Sequence, residues 1–196
     1  MPRPYNGPRL SALNAVELRP QCAILIGAIA GQWSFMEGTL SSYFSLLLFG
    51  VQYFMDLRGQ VAAIEAFEGI QAFPQKKSIL LAAARTRDVP ESALLKFEKL
   101  LDRVERCQRR RNRIMHGRWA ISDTEPDGLI YSNKVTDYAA AELYVAKDFN
   151  EVIVALDQVF VELSHLFRDE IAPHLKVVAD SYVGHIIASQ QRKDST

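Results

Sequence analysis

The chain is poor in the residues that staple, ligate or anchor. It has two cysteines, Cys22 and Cys107, with no metal-ligand spacing and nothing that demands a disulfide, which points to a reducing cytosol. Its four histidines have no His or Cys neighbour at ligand spacing, so packing or exposure is the default for His165, His174 and His185. There is no Gly-rich phosphate loop, no Ser/His/Asp arrangement, no internal repeat and no low-complexity segment. Gly27 and Gly31 read as sites of close helix packing rather than a cofactor site, and no cofactor or metal is implied.

An uninterrupted apolar run is also missing. The stretch from Cys22 to Met55 is the most hydrophobic, but Gln32, Glu37 and Gln52 break it, and a lipid-facing helix would bury them at high cost. A buried core helix is expected there, and no membrane span. Met1 to Pro20 lacks the charged start and apolar core of a signal peptide. With 48% hydrophobic and 23% charged residues, the 196-residue chain reads as globular, with a cytoplasmic location and one domain as the default.

Net charge is absent too, which argues against a general polyanion binder, yet the charges are unevenly placed. Lys96 to Arg118 holds nine basic and three acidic residues, a net +6, whereas everything after it holds six basic and thirteen acidic, a net −7. Such a block serves one anionic site or partner, or it pairs with the acidic C-terminal half within the chain or across a dimer.

What is present is mostly helical patterning. Residues 1–19 read as an extended arm, since Pro2, Pro4, Pro8 and Pro20 discourage helix. A long helix is expected from about Gln21 to Phe49, apolar nearly all round, with Trp33 and Glu37 on one face. Glu37 then needs a partner or a place at the helix rim. Leu57, Val61, Ile64 and Phe67 predict a second helix over 56–71, and Pro74 starts a short third one through Ala84. A fourth follows Pro90, carries Leu94, Phe97, Leu101 and Val104 on one stripe, and runs to His116, with Gly117 as its left-handed cap. The period then shortens to that of strands at 118–122 and 129–132 around a turn with Pro126-Asp127-Gly128, and a further strand at 141–145. The last long helix opens at Asp148, with Glu151 completing a capping box, and its strong pattern closes at Pro173. The expected class is mainly α: a helical bundle with a small β-hairpin inserted before the last long helix. The domain spans 20–176, followed by a C-terminal helical extension and tail over 177–196.

The densest chemistry lies in Arg109-Arg110-Arg111-Asn112-Arg113-Ile114-Met115-His116-Gly117. Arginine grips a phosphate with a planar fork of donors, and histidine moves protons near neutral pH. On a helix Arg111 falls on the inward stripe, while Asn112 and His116 share a neighbouring face with Glu105 and Arg109. Arg111 and His116 stand about 140° apart around the axis, so one ideal helix does not aim both at one phosphate. Either the last turn distorts at Gly117, or two copies of the motif meet across a two-fold axis. A purely structural account is also open: His116 in a last turn is favoured by the macrodipole, and Arg111 is an ion-pair partner for Glu37.

The string Arg111-Asn112-Arg113-Ile114-Met115-His116 resembles the Arg-x4–6-His signature of the HEPN superfamily, in which Asn commonly follows the Arg. The resemblance covers roughly residues 20–175: a long first helix with an acidic residue, the motif near the end of a later helix, then another long helix. It implies a HEPN-like helical bundle that dimerises, and many members are metal-independent ribonucleases of toxin–antitoxin, abortive-infection or CRISPR systems. HEPN toxins paired with nucleotidyltransferase antitoxins carry Tyr two residues after the His, where this chain has Arg118.

On that resemblance Arg111, Asn112 and His116 are the catalytic candidates, Arg109, Arg113 and Arg118 would hold flanking RNA phosphates, and Glu37 supports the site. RNA, a second copy of the chain and an antitoxin protein are the partners it implies. The function expected is a homodimeric endoribonuclease, toxin-like or defence-related. The alternative is a non-catalytic HEPN-like binding or scaffold protein for nucleotide, RNA or a protein partner.

Overall fold

The computed structural model describes residues 1–11, 14–50, 57–132 and 141–175. The expected helical extension and tail over 177–196, His185 with it, and the expected start of the second helix at Asp56 lie outside the described residues. The chain is mainly helical: α1 (Pro20–Phe49), α2 (Leu57–Glu68), α3 (Phe73–Arg85), α4 (Glu91–Met115) and α5 (Ala146–Leu166). Among the described residues no helix is long and apolar enough to cross a membrane. Two compact units share the chain, Met1–Met36 with Asp102–Val161 and Glu37–Leu101 with Glu162–Thr196, so α1, α4 and α5 each divide between them.

The first unit contains the sheet, which is larger than the expected hairpin. Strands β3 (Arg118–Ile121), β4 (Gly128–Ser132) and β5 (Glu142–Val145) form an antiparallel meander between α4 and α5. The N-terminal arm adds both edges: β1 (Arg3–Pro4) pairs with β5, and β2 (Leu10–Ser11) pairs with β3, giving the order β1-β5-β4-β3-β2. Pro4 lacks an N–H and is tolerated because it sits on an edge. The arm is thus extended, as its prolines require, but pairing gives it fixed partners.

Register sorts the side chains by face. Ala120, Ile130 and Leu143 align on one side and, with Tyr5 and Ala141, form a buried cluster. Tyr5 fixes the arm there, its hydroxyl donating to the Pro8 carbonyl at 2.7 Å and lying 2.8 Å from Ser122 Oγ. Trp119, Tyr131, Glu142 and Tyr144 share the opposite face. There Trp119 meets the rings of Tyr144 and Phe149 at 5.3 and 5.8 Å, and its indole N–H donates to the Ile114 carbonyl at the end of α4. The aromatic packing seats the sheet on α5, and the indole hydrogen bond ties it to the helix that bears the motif.

Two local expectations need correction. Gly117 does not take the left-handed conformation; Gly50 is the described glycine with positive φ. Gly117 is needed for space instead, because a Cβ there would stand 2.8 Å from the Tyr131 ring and 2.9 Å from the Arg113 carbonyl. The chain passes directly from helix into β3, leaving no room for a looped cap. Second, α5 starts two residues before Asp148. Asp148 is its third residue and accepts the Val145 N–H at 2.9 Å, so it is the back-reaching member of a capping arrangement rather than its first residue.

The second unit is packed by aromatics and leucines. Tyr43 stacks on Phe167 at 3.8 Å and Phe44 on Phe67 at 4.9 Å, while Phe97, Leu80 and Leu163 are buried. Arg87 donates to the carbonyls of Leu47 and Leu48, satisfying acceptors that the end of α1 leaves open. After α5 the backbone widens into a π turn over Phe167–Ile171 and tightens over Ala172–Leu175. Pro173 explains the change, since its ring would clash with the carbonyl four residues back in a continuing α-helix.

Candidate functional site at the end of α4

The buried residues of α4 are Ala93, Leu94, Phe97, Leu100, Leu101, Val104, Cys107 and Ile114, the apolar stripe read from the sequence extended at both ends. Arg111 lies on this stripe and is half-buried. Its Nη1 donates to Asn112 Oδ1 at 2.9 Å, and its Nε is buried with no hydrogen-bond partner among the described residues. His116 is exposed, and its backbone N–H donates to the Asn112 carbonyl at 3.0 Å. That bond keeps the last turn α-helical, so it does not swing His116 toward Arg111. The two side chains keep the roughly 140° separation of a regular helix.

The surrounding arginines fall into different situations. Arg109 lies 3.3 Å from Glu105 one turn back on the same helix. Arg113 lies 2.7 Å from Glu142 and places its guanidinium 4.6 Å from the centre of the Tyr131 ring. Arg110 is 4.0 Å from Glu151. Arg118, at the start of β3, is exposed and has no ion-pair partner among the described residues. Two of these pairs join the basic block to the acidic C-terminal half, and Lys96 with Glu170 at 2.7 Å makes a third. Pairing within the chain therefore accounts for part of the charge asymmetry.

Glu37, in the second unit, is 41% exposed and lies 3.8 Å from the Lys76 ammonium, which is itself buried over the Phe67 ring. It has both a partner and a rim position. His165 and His174 are exposed. Both cysteines are free and buried, and burial pushes each thiol above its ordinary pKa, which disfavours a reactive thiolate.

The motif helix also borders a cavity of about 300 Å³ that the sequence did not disclose. Arg110, Arg113 and Ile114 line it from α4, Glu142 and Tyr144 from β5, and Asp148 and Val152 from α5. Helical spacing could have grouped 110, 113 and 114, and strand alternation could have grouped 142 and 144. Their meeting depends on β5 passing the end of α4, which no local pattern encodes. Burial pushes the Tyr144 phenol up to about 12, against the opposing pull of the Arg113 charge. Burial is the largest single influence on Arg113 and pulls its pKa down, but the hydrogen bond to Glu142 and the charge interactions with Tyr144, Glu142 and Tyr131 together outweigh it, and the net shift is upward. Glu142 Oε2 is buried and accepts no hydrogen bond among the described residues.

Set against family models, curated proteins and solved structures, the chain matches none of them.

Proposed function

We propose that the end of α4 is an RNA-contacting site of HEPN type, and that the protein is a metal-independent endoribonuclease acting as a homodimer. The observation that carries this reading is the state of Arg111. Asn112 orients its guanidinium, and no carboxylate among the described residues pairs with it. A half-buried guanidinium without a counter-ion is costly, and a phosphate oxygen is an acceptor suited to it. His116 is exposed nearby but on another face of a regular helix, so convergence on one phosphate needs a second chain.

In such a composite site His116 takes the 2′-hydroxyl proton as O2′ bonds to phosphorus, or donates a proton to the departing O5′ as the P–O5′ bond breaks. Arg111 stabilises the charge that develops on the phosphoryl oxygens, and Asn112 holds it in place. Arg118 is the flanking cation best placed to meet a neighbouring phosphate, whereas Arg109 and Arg113 must first leave Glu105 and Glu142. A toxin-like or defence role, restrained by an antitoxin, belongs to the same reading.

The test is cleavage of single-stranded RNA in EDTA, with 2′,3′-cyclic phosphate ends and loss of cutting in both Arg111→Ala and His116→Ala. Undiminished cutting by either variant overturns it. The pairing of Arg109, Arg110 and Arg113 with carboxylates favours a second reading, a non-catalytic binding or scaffold protein for nucleotide, RNA or a protein partner. Under that reading RNA is bound and left intact.

A further inference from the structure

We infer that the exposed face of α1 between Pro20 and Met36 is where a second copy of the chain docks, the two helices lying antiparallel about a two-fold axis at Gly31. This goes beyond the RNA reading above, which asks only that two chains meet. The first observation concerns Gly27 and Gly31. Glycine inside a helix is destabilising relative to alanine unless close packing or a special backbone conformation needs it. Neither residue has a positive φ, and no atom of the described residues stands within 4 Å of where a Cβ would be. The close helix packing expected at these glycines is therefore not made among the described residues of the chain itself.

The same face exposes large apolar side chains. Ile24 is 71% and Phe35 66% exposed. At about 100° per residue, Ile24, Gly27, Ala28, Gly31, Ser34 and Phe35 fall within one sector of about 120°. From Pro20 to Met36 the helix carries no charged residue, so a two-fold axis there brings no like charges together. The sizes are also self-complementary. With the axis at Gly31, Phe35 stands level with the second copy's Gly27, because the two positions are equally far from the axis. The ring then enters the hole bounded by Ile24, Gly27, Ala28 and Gly31 of that copy, which have knobs-into-holes spacing.

This face alone, about 24 Å long and about 11 Å wide, covers roughly 260 Å² of each partner, against about 800 Å² in a standard interface. The apolar surface continues onto α5, where Val154 and Val161 are half-exposed and the Phe160 ring meets Phe35 at 5.2 Å. A cavity of about 310 Å³ bordered by Gly31, Phe35, Leu156 and Phe160 gives partner side chains room to sink in. Two helices together bring the footprint to the lower end of specific interfaces, and a Kd on the order of micromolar is expected.

Sedimentation of the full chain over a concentration series should show this reversible dimer. Phe35→Ala removes the knob and Gly27→Leu fills the hole, and each is expected to raise the dimer Kd by at least about tenfold. Gly27→Leu has open space in the single chain, so its melting temperature at a dilution where the unmodified chain is monomeric should hold or rise. That measurement separates loss of docking from loss of fold. Register is read by oxidative cross-linking of differently tagged chains. Gly27→Cys mixed with Phe35→Cys is expected to give a disulfide-linked pair, since the two positions come within bonding range. Neither variant links to itself, because its own two copies stand about 12 Å apart along the helices. Cys22 and Cys107 are buried and do not compete. A chain that stays monomeric to millimolar concentration, a Kd unchanged in both Phe35→Ala and Gly27→Leu, absence of the mixed cross-link, or self-linking of Gly27→Cys (the mark of parallel helices) each overturns the proposal. Dimers lost in Gly27→Leu while RNA is still cut keep this interface and sink the composite site. Dimers untouched by either variant, with RNA cut, do the reverse.

Discussion

Arg113 and Glu142 meet at 2.7 Å, joining the last turn of α4 to the strand that completes the meander. The same guanidinium covers the Tyr131 ring. Glu142 is only 28% exposed at its side chain, so removing Arg113 leaves a carboxylate that water reaches poorly. Arg113→Ala is expected to lower unfolding stability by about 1 kcal/mol, solvent screening included. Arg109→Ala, which breaks an exposed pair within one helix, should cost about 0.3 kcal/mol. Urea midpoints measure both, and equal losses would remove the distinction.

Tyr144 makes stability fall at high pH. Its phenol is raised from 10.0 to about 12 by burial, so between those values the unfolded chain releases a proton that the folded chain retains. Stability is full below pH 10 and declines as pH rises toward 12, by on the order of 1–2 kcal/mol over the window. The buried thiols act in the same direction above their ordinary value of 9.0, so the comparison must be with Tyr144→Phe in an otherwise unchanged chain. Denaturation series at pH 8 and pH 11 should show a smaller loss in the variant, and parallel losses would remove Tyr144 from the account.

Gly117→Ala tests whether the helix–strand junction is limited by space or by backbone conformation. The added methyl meets a backbone carbonyl and a packed ring, neither of which yields easily. A loss of about 1–3 kcal/mol is expected, read as a lower melting temperature. Ala is permitted at the backbone conformation itself, so shortening Tyr131 in the double variant Gly117→Ala/Tyr131→Ala should make the two losses less than additive. Strict additivity would refute a shared clash.

Separation of Arg111 and His116 around one regular helix gives a mixing test of the composite site. Arg111→Ala and His116→Ala chains are each expected to be inactive, but unfolding and refolding them together yields dimers in which one of the two sites is intact. With random pairing, roughly a quarter of the activity should return. No recovery despite exchange of subunits, checked by a tagged chain, would refute sharing of a site between chains.

The sequence discloses what is periodic or compositional and conceals what depends on distant pairing. The α4 stripe from Leu94 through Val104 follows from spacing alone, and so does the position of Arg111 upon it. The strands of the meander show as a change of period after Gly117. The arm strands do not show, because two-residue edges such as Arg3–Pro4 have no pattern of their own and exist only through β5 and β3. Glu142 was hidden for the same reason: its role comes from Arg113, 29 positions earlier, and the acidic half of the chain offers many other carboxylates. Asp148 belongs to the expected cap but stands at its far end, since a carboxylate at either end of the motif leaves a similar sequence trace.

Because Tyr5 ties the arm down between its two strands, those strands act as a strap across one face of the sheet. Laid flat, four inter-strand gaps of about 4.8 Å would put the outer strands roughly 19 Å apart. Yet Tyr5, bonded to the Ala141 carbonyl at one edge, also reaches Ser122 Oγ past the end of β3, so the sheet curls beneath the arm. The six residue steps from Pro4 to Leu10 reach at most about 21 Å when fully drawn out. The strap therefore spans the sheet because the sheet curls toward it, and its length is tied to that curvature. Removing one residue between Tyr5 and Arg9 should release one edge of the sheet, whereas adding one should be absorbed as a small bulge. The span of the arm is a ruler for the curl of the sheet.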